Sequence, residues 1–149
     1  DPYYITGAQK RGAPLVKQFN LEILPMAYLL VEPGGAAGRV GKADLIPRTK
    51  PELAVAYALT AQYLGMRFVY LEAGSGAAIP VPTNMVRAVR RATRATLIVG
   101  GGIKTPREAV ERVKAGADVI VTGTIVEHVK NRAAEIHEMV KAVKLGRGA

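Results

Sequence analysis

The sequence contains no cysteine and no tryptophan, and only two of its 149 residues are phenylalanine. Without cysteine, neither disulfide bonds nor thiolate metal sites can contribute to the protein. No apolar run approaches the roughly 20 residues that span a bilayer, and no signal peptide is visible. We therefore expect a soluble, cytoplasmic protein. Because the chain starts at Asp1 inside an apparent helix, we also expect an N-terminal segment to precede it.

Acidic residues are fewer than basic ones: 12 Asp and Glu stand against 21 Lys and Arg, and the formal net charge is +9. Such an excess favours anionic partners, such as phosphorylated metabolites, anionic lipid surfaces or nucleic acid. Nucleic-acid binding would require stacking aromatic side chains, so their scarcity argues against it. Four arginines share one face of a predicted helix, and we favour a solvated outer face over an anion-binding stripe. They are Arg87, Arg90, Arg91 and Arg94.

Four strand-like segments alternate with helical ones along the chain. The segments are almost continuously apolar, which is typical of parallel strands that are covered on both faces. We predict strands over Glu22 to Val31, Phe68 to Glu72, Leu97 to Val99 and Asp118 to Thr122.

Helix signals fill the intervals between these strands. Thr49 and Thr105 are each followed three residues later by glutamate, which is the pattern of a capping box. Gly65 and Gly116 are plausible helix ends. The first of these helices carries a predicted apolar stripe. Its members are Leu53, Ala56, Tyr57, Ala61 and Leu64.

Alternating strands and helices predict right-handed βαβ units and a parallel sheet. A small doubly wound sheet would place its glycines after the first strand, whereas here they follow the last strands. We therefore predict an α/β fold, a TIM (β/α)₈ barrel of which residues 1–149 supply about the last four βα units. This would be the C-terminal portion of a single barrel domain. Half a barrel leaves two strand edges and one apolar sheet face uncovered, so we expect bare apolar surface there.

One connection is unusually long and rich in glycine. It runs from Glu32 to Arg48, between the first predicted strand and its helix, and carries Arg39, Lys42 and Arg48. Loops of this length in compact domains are often lids or binding loops. Its basic residues would suit a diphosphate, and a mobile, solvated loop is an equally good interpretation.

The end of the second predicted strand carries a candidate catalytic residue. Side chains alternate along a strand, so Tyr70 and Glu72 are expected to point into the barrel while Leu71 packs against helices. A carboxylate at the C-terminal end of a barrel strand lies where barrel enzymes place their chemistry. A bound hydroxyl or cation would explain its burial, and a salt bridge across the barrel mouth is the structural alternative. The glycines of Gly74 to Gly76 allow a tight turn.

Glycines also follow the last two predicted strands. Gly100, Gly101 and Gly102 follow the third strand, and Gly123 with Thr124 follows the fourth. In barrels of this kind, the loops after the last two strands bind phosphate through backbone N–H groups. Two glycine sites in this order on consecutive βα units favour phosphate binding over ordinary turns.

These motifs together resemble a known family. YLEAGSGA at residues 70–77, PVP at 80–82, VGGGI at 99–103 and the opening DPYYITGAQ are similar to motifs of the geranylgeranylglyceryl phosphate synthase family. The stretch ILPMAYLLVEPGG and the Gly123–Thr124 step fit the same family. The resemblance runs over nearly the whole chain, and its first motif is highly specific.

The resemblance implies a prenyltransferase that joins sn-glycerol 1-phosphate to geranylgeranyl diphosphate, forms an ether bond of archaeal membrane lipids and releases diphosphate. It implies Mg²⁺ as cofactor, with ligands in the N-terminal half of the barrel. Beside the resemblance, the uncovered strand edges predict a homo-oligomer, and the positive charge favours peripheral contact with anionic membranes. Glu72 would act on the glycerol hydroxyls as the catalytic residue. The substrate-binding residues would be Tyr70, Leu71, Glu72, Ala73, Gly74, Ser75, Gly76, Gly100, Gly101, Gly102, Gly123 and Thr124.

Two other interpretations stay open at this point. One is another phosphate-binding barrel enzyme, against which the YLEAGSGA motif argues. The other is a catalytically inert half-barrel that assembles with itself. The length of the prenyl donor is not decided by these residues, because most of the floor of its groove is expected outside them.

Overall fold

The computed structural model describes residues 3–123 and 132–146. Four parallel strands form one sheet in the order β1-β2-β3-β4, and helices occupy the connections between them. The strands are β1 (Met26–Leu30), β2 (Phe68–Glu72), β3 (Thr96–Gly100) and β4 (Val119–Val121). The helices are α1 (Gln9–Gln18), α2 (Gly35–Val40), α3 (Pro51–Tyr63), α4 (Thr83–Ala92), α5 (Pro106–Ala115) and α6 (Arg132–Gly146), with a π-helical turn at Tyr3–Gly7 before α1.

Strands that follow one another along the chain are also neighbours in the sheet. Each strand pairs in parallel with the next one along the chain, so that Tyr70 lies between Tyr28 and Ile98. Strands that alternate with helices in this order form an α/β structure equivalent to about half of a (β/α)₈ barrel. The predicted fold class is therefore confirmed.

Strand positions agree well with the sequence pattern, with one exception. The bounds of β2 are those predicted, whereas β1 begins at Met26 and not at Glu22. The cause is Pro25, which has no N–H to donate to a neighbouring strand. Its carbonyl oxygen accepts hydrogen bonds from the N–H groups of Arg67 and Phe68, at 3.1 and 3.2 Å, and these bonds mark the start of the ladder.

Only one of the two predicted capping boxes forms. The Thr105 hydroxyl accepts from the N–H of Glu108 at 3.2 Å, and the Glu108 carboxylate accepts from the N–H of Thr105 at 3.0 Å. The capping box predicted at Thr49 is wrong. The helix α3 begins at Pro51, and its N-cap is Lys50, whose side chain makes no capping hydrogen bond. Proline prefers the first helical position, so the residue directly before it becomes the cap.

The predicted apolar stripe of α3 is also largely wrong. The helix buries Ala54, Ala58 and Ala61, whereas Tyr57 and Leu64 are exposed. Alanine side chains allow α3 to pack closely against α4, so the face with the smaller side chains is the buried one. The two glycine helix ends are as predicted: Gly65 and Gly116 both have left-handed backbone conformations.

The two faces of the sheet differ in burial. The face under the helices is fully covered and holds Val69, Leu71, Leu97 and Val99. The opposite face, which would line the barrel, carries apolar residues that are 40–48% exposed. They are Met26, Tyr28, Val119 and Val121. The bare apolar face expected of a half-barrel is therefore present.

The long connection after β1 is ordered against the sheet. It contains α2 and returns as a parallel bridge from Val31 to Ile46, whose side chain is 2% exposed. The N–H of Ile46 donates to the carbonyl oxygen of Leu30, and the N–H of Glu32 donates to that of Ile46. This part of the connection is an extension of the sheet edge, and the interpretation as a solvated loop does not fit it.

The arginine face of α4 is mostly solvated, as favoured from the sequence. Arg87, Arg91 and Arg94 are exposed. Arg90 differs, because its Nη1 lies 2.8 Å from Oδ2 of Asp118 and joins α4 to the start of β4. Within residues 3–123 and 132–146, none of the helices has the length and apolar character needed to cross a membrane.

Candidate functional site

The candidate site lies where β2 and β3 end side by side. Glu72 is the last residue of β2, Gly100 is the last residue of β3, and the two are register partners. The glycine-containing turns follow directly from these positions. The strand ends thus bring the carboxylate of the first motif next to the glycine run of the second, at the end of the sheet where barrel enzymes have their active sites.

Tyr70 and Glu72 point to the same side of the sheet, as predicted, and Leu71 is buried on the other side. The Tyr70 hydroxyl is hydrogen-bonded to Glu72. The ring of Tyr70 packs edge-on against Tyr28, with centroids 5.0 Å apart and an interplanar angle of 87°. Burial, and then the hydrogen bond and the charge of Glu72, raise the pKa of Tyr70 far above its ordinary value. The hydroxyl therefore keeps its proton and donates a hydrogen bond to the carboxylate.

The Glu72 carboxylate is buried and held by its own turn. Its side chain is 6% exposed, and its Oε1 accepts a hydrogen bond of 2.6 Å from the N–H of Gly74. This bond and that from Tyr70 offset the cost of removing a carboxylate from water. Within the described ranges, no lysine or arginine forms an ion pair with Glu72, so a salt bridge across the barrel mouth would need a residue outside them.

Close backbone contacts explain the glycine run after β3. A Cβ atom at Gly100 would lie 2.8 Å from Oε2 of Glu72, and one at Gly101 would lie 2.6 Å from the N atom of Gly74. A Cβ at Gly102 would lie 2.9 Å from the carbonyl carbon of Ile79. Gly101 and Gly102 also have φ angles of +79° and +72°. Larger residues would push the two turns apart, so these glycines place bare backbone beneath Glu72.

The long connection after β1 also reaches the site, through a glycine pair that the sequence analysis did not single out. The N–H of Gly34 donates to the carbonyl oxygen of Ala73 at 3.0 Å. A Cβ at Gly74, whose φ is +104°, would lie 2.6 Å from the N atom of Gly35. The turn after β1 therefore packs backbone to backbone against the turn after β2. The signal was a glycine pair in the connection that follows a strand, as in the other two glycine motifs.

The end of β4 also turns towards the glycine run. The Thr122 hydroxyl donates to the carbonyl oxygen of Ile103 at 2.9 Å, which joins the connections after β3 and β4. Gly123 follows at once and is exposed. Among the described residues, no atom lies within 4 Å of a Cβ built at Gly123. Thr124, the last predicted binding residue, lies outside the described residues.

The turn between β2 and α4 holds the remaining predicted residues. The N–H of Ala77 donates to the carbonyl oxygen of Gly74 at 3.1 Å, which closes a tight turn as predicted. Ser75 and Gly76 lie at its tip and are exposed, whereas Ala73 is fully buried. Within residues 73–77, Ser75 and Gly76 thus form the solvent-exposed tip of the turn.

An apolar cavity of about 630 Å³ adjoins the site beside the edge strand β1. Tyr28 and Leu30 of β1 line one side of it, Lys42 and Ile46 come from the long connection, and Tyr57 comes from α3. Tyr28 also contacts Tyr70, so one wall of the cavity is in contact with the Tyr70 and Glu72 side of the site. The sequence analysis did not identify this cavity, since its walls come together only through the return of the connection to β1.

Within residues 3–123 and 132–146, no three His, Cys, Asp or Glu side chains come close enough together to hold a metal ion. Glu72 uses its oxygens for Tyr70 and Gly74 and has no second carboxylate beside it.

Known proteins match nearly the whole of this chain. The PcrB family profile matches residues 1–144. A geranylgeranylglyceryl phosphate synthase of Pyrococcus horikoshii is 55% identical over 146 residues, which are 98% of this chain and 57% of that protein. One of Methanothermobacter marburgensis is 53% identical over 143 residues, which are 96% of this chain and 58% of that protein. The chain thus spans somewhat more than half the length of the curated relatives it matches.

A solved structure is similarly close. The (S)-3-O-geranylgeranylglyceryl phosphate synthase of Thermoplasma acidophilum, in complex with its substrate sn-glycerol-1-phosphate, superposes with a TM-score of 0.94. The two chains are 46% identical, and the match covers 97% of this chain and 59% of the other. Its fold agrees with the half-barrel described above, and the family profile covers nearly all of the sequence. This chain belongs to the PcrB family.

Proposed function

We propose that residues 1–149 form the C-terminal portion of a single barrel domain that acts as a phosphoglycerol geranylgeranyltransferase. Its substrates would be sn-glycerol 1-phosphate and geranylgeranyl diphosphate, and its products geranylgeranylglyceryl phosphate and diphosphate. The observation that carries this proposal is the cluster at the strand ends, in which the Glu72 carboxylate lies against the backbone of Gly100 and Gly101. The likeness to a relative whose structure holds sn-glycerol-1-phosphate supports it.

The proposed chemistry follows from the position of each group. Backbone N–H groups near Gly101, Gly102 and Gly123 would bind the phosphate, since a glycine run lets an anion approach the backbone. Glu72 would orient the glycerol hydroxyl and take its proton. The hydroxyl oxygen then bonds to the first prenyl carbon, and the carbon–oxygen bond to diphosphate breaks with its electron pair leaving on the diphosphate. The apolar cavity beside Tyr28 supports binding of the prenyl chain.

Prenyl transfer from a diphosphate typically uses a metal ion, and we propose Mg²⁺. As the resemblance implies, we place its ligands in the N-terminal half of the barrel, and we assign it no step. The bare sheet face supports the proposal of an assembled molecule, in which further strands or further copies cover that face. The positive charge supports peripheral contact with anionic membranes, and we propose the cytoplasm as the compartment.

Substitution of Gly123 offers the cleanest test of the phosphate assignment. Gly101→Val would force its Cβ into the backbone of residues 73 and 74, so it would disturb the fold. A Cβ at Gly123 meets no atom of the described residues, so Gly123→Val should leave folding intact while crowding the phosphate. We expect the affinity for sn-glycerol 1-phosphate to fall at least about tenfold in titration calorimetry of the complete enzyme.

The matched control is Gly12→Val. Gly12 lies in α1, away from the strand ends, and a Cβ there also meets no atom of the described residues. This variant should bind glycerol phosphate as the unmodified enzyme does. Unchanged affinity in Gly123→Val would remove this glycine from the phosphate site. Failure of the unmodified enzyme to form product from the two substrates would overturn the proposed function.

A further inference from the structure

Two arginines hold consecutive carbonyl groups in the connection between β2 and α4. Nη2 of Arg48 donates to the carbonyl oxygen of Pro80 at 2.7 Å. Nε of Arg112 donates to the carbonyl oxygen of Val81 at 3.2 Å. Arg48 ends the long connection after β1, whereas Arg112 lies in α5 and is only 7% exposed. Three segments that are far apart in sequence therefore meet at Pro80 and Val81.

Arg48 also closes the connection to which it belongs. Its Nη1 donates to the carbonyl oxygen of Glu32 at 3.2 Å, and its backbone N–H donates to Oε2 of Glu32 at 3.2 Å. One guanidinium thus spans the turn after β1 and the connection after β2. Such a span needs the planar, forked set of donors that arginine has and lysine lacks.

The two guanidinium groups are close enough to repel each other. Burial, and then the charge of Arg112, lower the pKa of Arg48, while Glu32 raises it. Nη1 of Arg112 lies 2.9 Å from Oε2 of Glu111, which offsets part of its charge. Because two like charges side by side are unfavourable, the arrangement is held together by the carbonyl and carboxylate oxygens around them.

Pro80 in turn packs against the glycine run. A Cβ at Gly102 would lie 3.0 Å from the N atom of Pro80 and 2.9 Å from the carbonyl carbon of Ile79. No side chain separates these two stretches of backbone. If Pro80 shifted, its backbone would therefore collide with Gly102. Gly102 lies two residues after Gly100, which contacts Glu72.

We propose that Arg48 is a positioning residue for the glycerol phosphate site: by holding Pro80, it sets the position of the backbone at residues 100–102. This inference rests on the proposed function. Two of the five N–H donors of the Arg48 guanidinium hold the carbonyl groups of Glu32 and Pro80, and this is the contact on which the positioning role depends. Displacements of about 1 Å in a positioning element are enough to lower activity up to about 100-fold.

The test compares Arg48→Met and Arg48→Lys in the complete enzyme. Methionine keeps the apolar stem and removes every donor, whereas lysine keeps the charge but reaches only one carbonyl. We expect the Kd for sn-glycerol 1-phosphate, measured by calorimetry, to rise about tenfold in Arg48→Met and by an intermediate factor in Arg48→Lys. The KM for geranylgeranyl diphosphate should stay unchanged, because Arg48 is not part of the apolar cavity.

The matched control is Arg67→Met. Nη2 of Arg67 likewise donates to a backbone carbonyl, that of Ile23, at 2.8 Å. Arg67 precedes β2, so about 16 Å of strand separate it from Glu72 at the other end. This variant should lose a comparable hydrogen bond and a comparable amount of thermal stability, yet keep its affinity for glycerol phosphate.

The outcomes separate this inference from the function on which it rests. If the unmodified enzyme does not bind sn-glycerol 1-phosphate, the proposed function fails. If it binds and Arg48→Met binds equally well, the positioning role is wrong. Equal losses for both substrates, or an equal loss in Arg67→Met, would make Arg48 a purely structural residue. If Arg48→Met does not fold by circular dichroism, unchanged affinity in Arg48→Lys contradicts the proposal.

Discussion

At the scale of single residues, Glu72 combines burial with two hydrogen bonds from its own strand and turn. Glu72→Gln keeps the size of the side chain and an oxygen acceptor but removes the charge and the ability to take a proton. We expect the kcat of the complete enzyme to fall at least about 100-fold, which is typical of the loss of a general base. Binding of sn-glycerol 1-phosphate, measured by calorimetry, should change much less.

Tyr70→Phe is the companion variant at this scale. It removes the hydroxyl that donates to Glu72 but keeps the ring that packs against Tyr28. Its kcat should therefore fall less than that of Glu72→Gln, because the carboxylate retains its charge and its bond from Gly74. Near-normal turnover in Glu72→Gln would reduce Glu72 to a structural support of the two turns.

At the scale of elements, the start of α5 is the best-defined boundary next to the site. Its capping box satisfies the N–H groups of Thr105 and Glu108, and the N–H of Lys104 donates to the same Glu108 carboxylate at 2.8 Å. Thr105→Ala should therefore lower the free energy of unfolding by about 1 kcal/mol. Thermal or urea denaturation of the complete enzyme measures this loss.

Thr49→Ala is the control for this boundary. Thr49 has the same sequence pattern, yet it lies one residue outside the N-cap of α3. Its replacement should change the stability by no more than a few tenths of a kcal/mol, as for an ordinary surface substitution. Equal losses in both variants would show that the threonine hydroxyl at 105 does not act as a cap.

At the scale of the whole molecule, the uncovered apolar face of the sheet governs how the isolated segment associates. Each Å² of apolar surface left in water costs about 25 cal/mol, and unpaired strand edges invite pairing with other chains. We therefore expect the isolated segment of residues 1–149 to associate, which light scattering detects. Val121→Lys, on the bare face, should reduce that association because it places a charge where another apolar surface would pack.

Ile136→Lys gives the matched comparison for that experiment. Ile136 is 41% exposed, nearly the same as Val121 at 40%, but it lies on α6 and not on the sheet. Its replacement should leave the association of the segment unchanged. A soluble monomer with a single cooperative melt, for the unmodified segment, would contradict the role that we assign to the bare face.

The sequence by itself determined the βαβ order, the bounds of β2 and the orientation of Glu72, because these depend on local periodicity and on alternation along one strand. It also located the glycine motifs, since backbone that must adopt positive φ or pack tightly admits little else. Local pattern was insufficient at Thr49, where the preference of Pro51 for the first helical position decided the cap.

Only the tertiary structure decided which segments meet around the site. The return of Ile46 to the sheet edge, the packing of Gly34 and Gly35 on Gly74 and the span of Arg48 to Pro80 all join residues from different connections. No periodicity along the chain encodes such pairs, because each depends on the distance between two loops that the sheet register brings together. The same reason explains the buried alanine face of α3, which depends on how closely α4 approaches it.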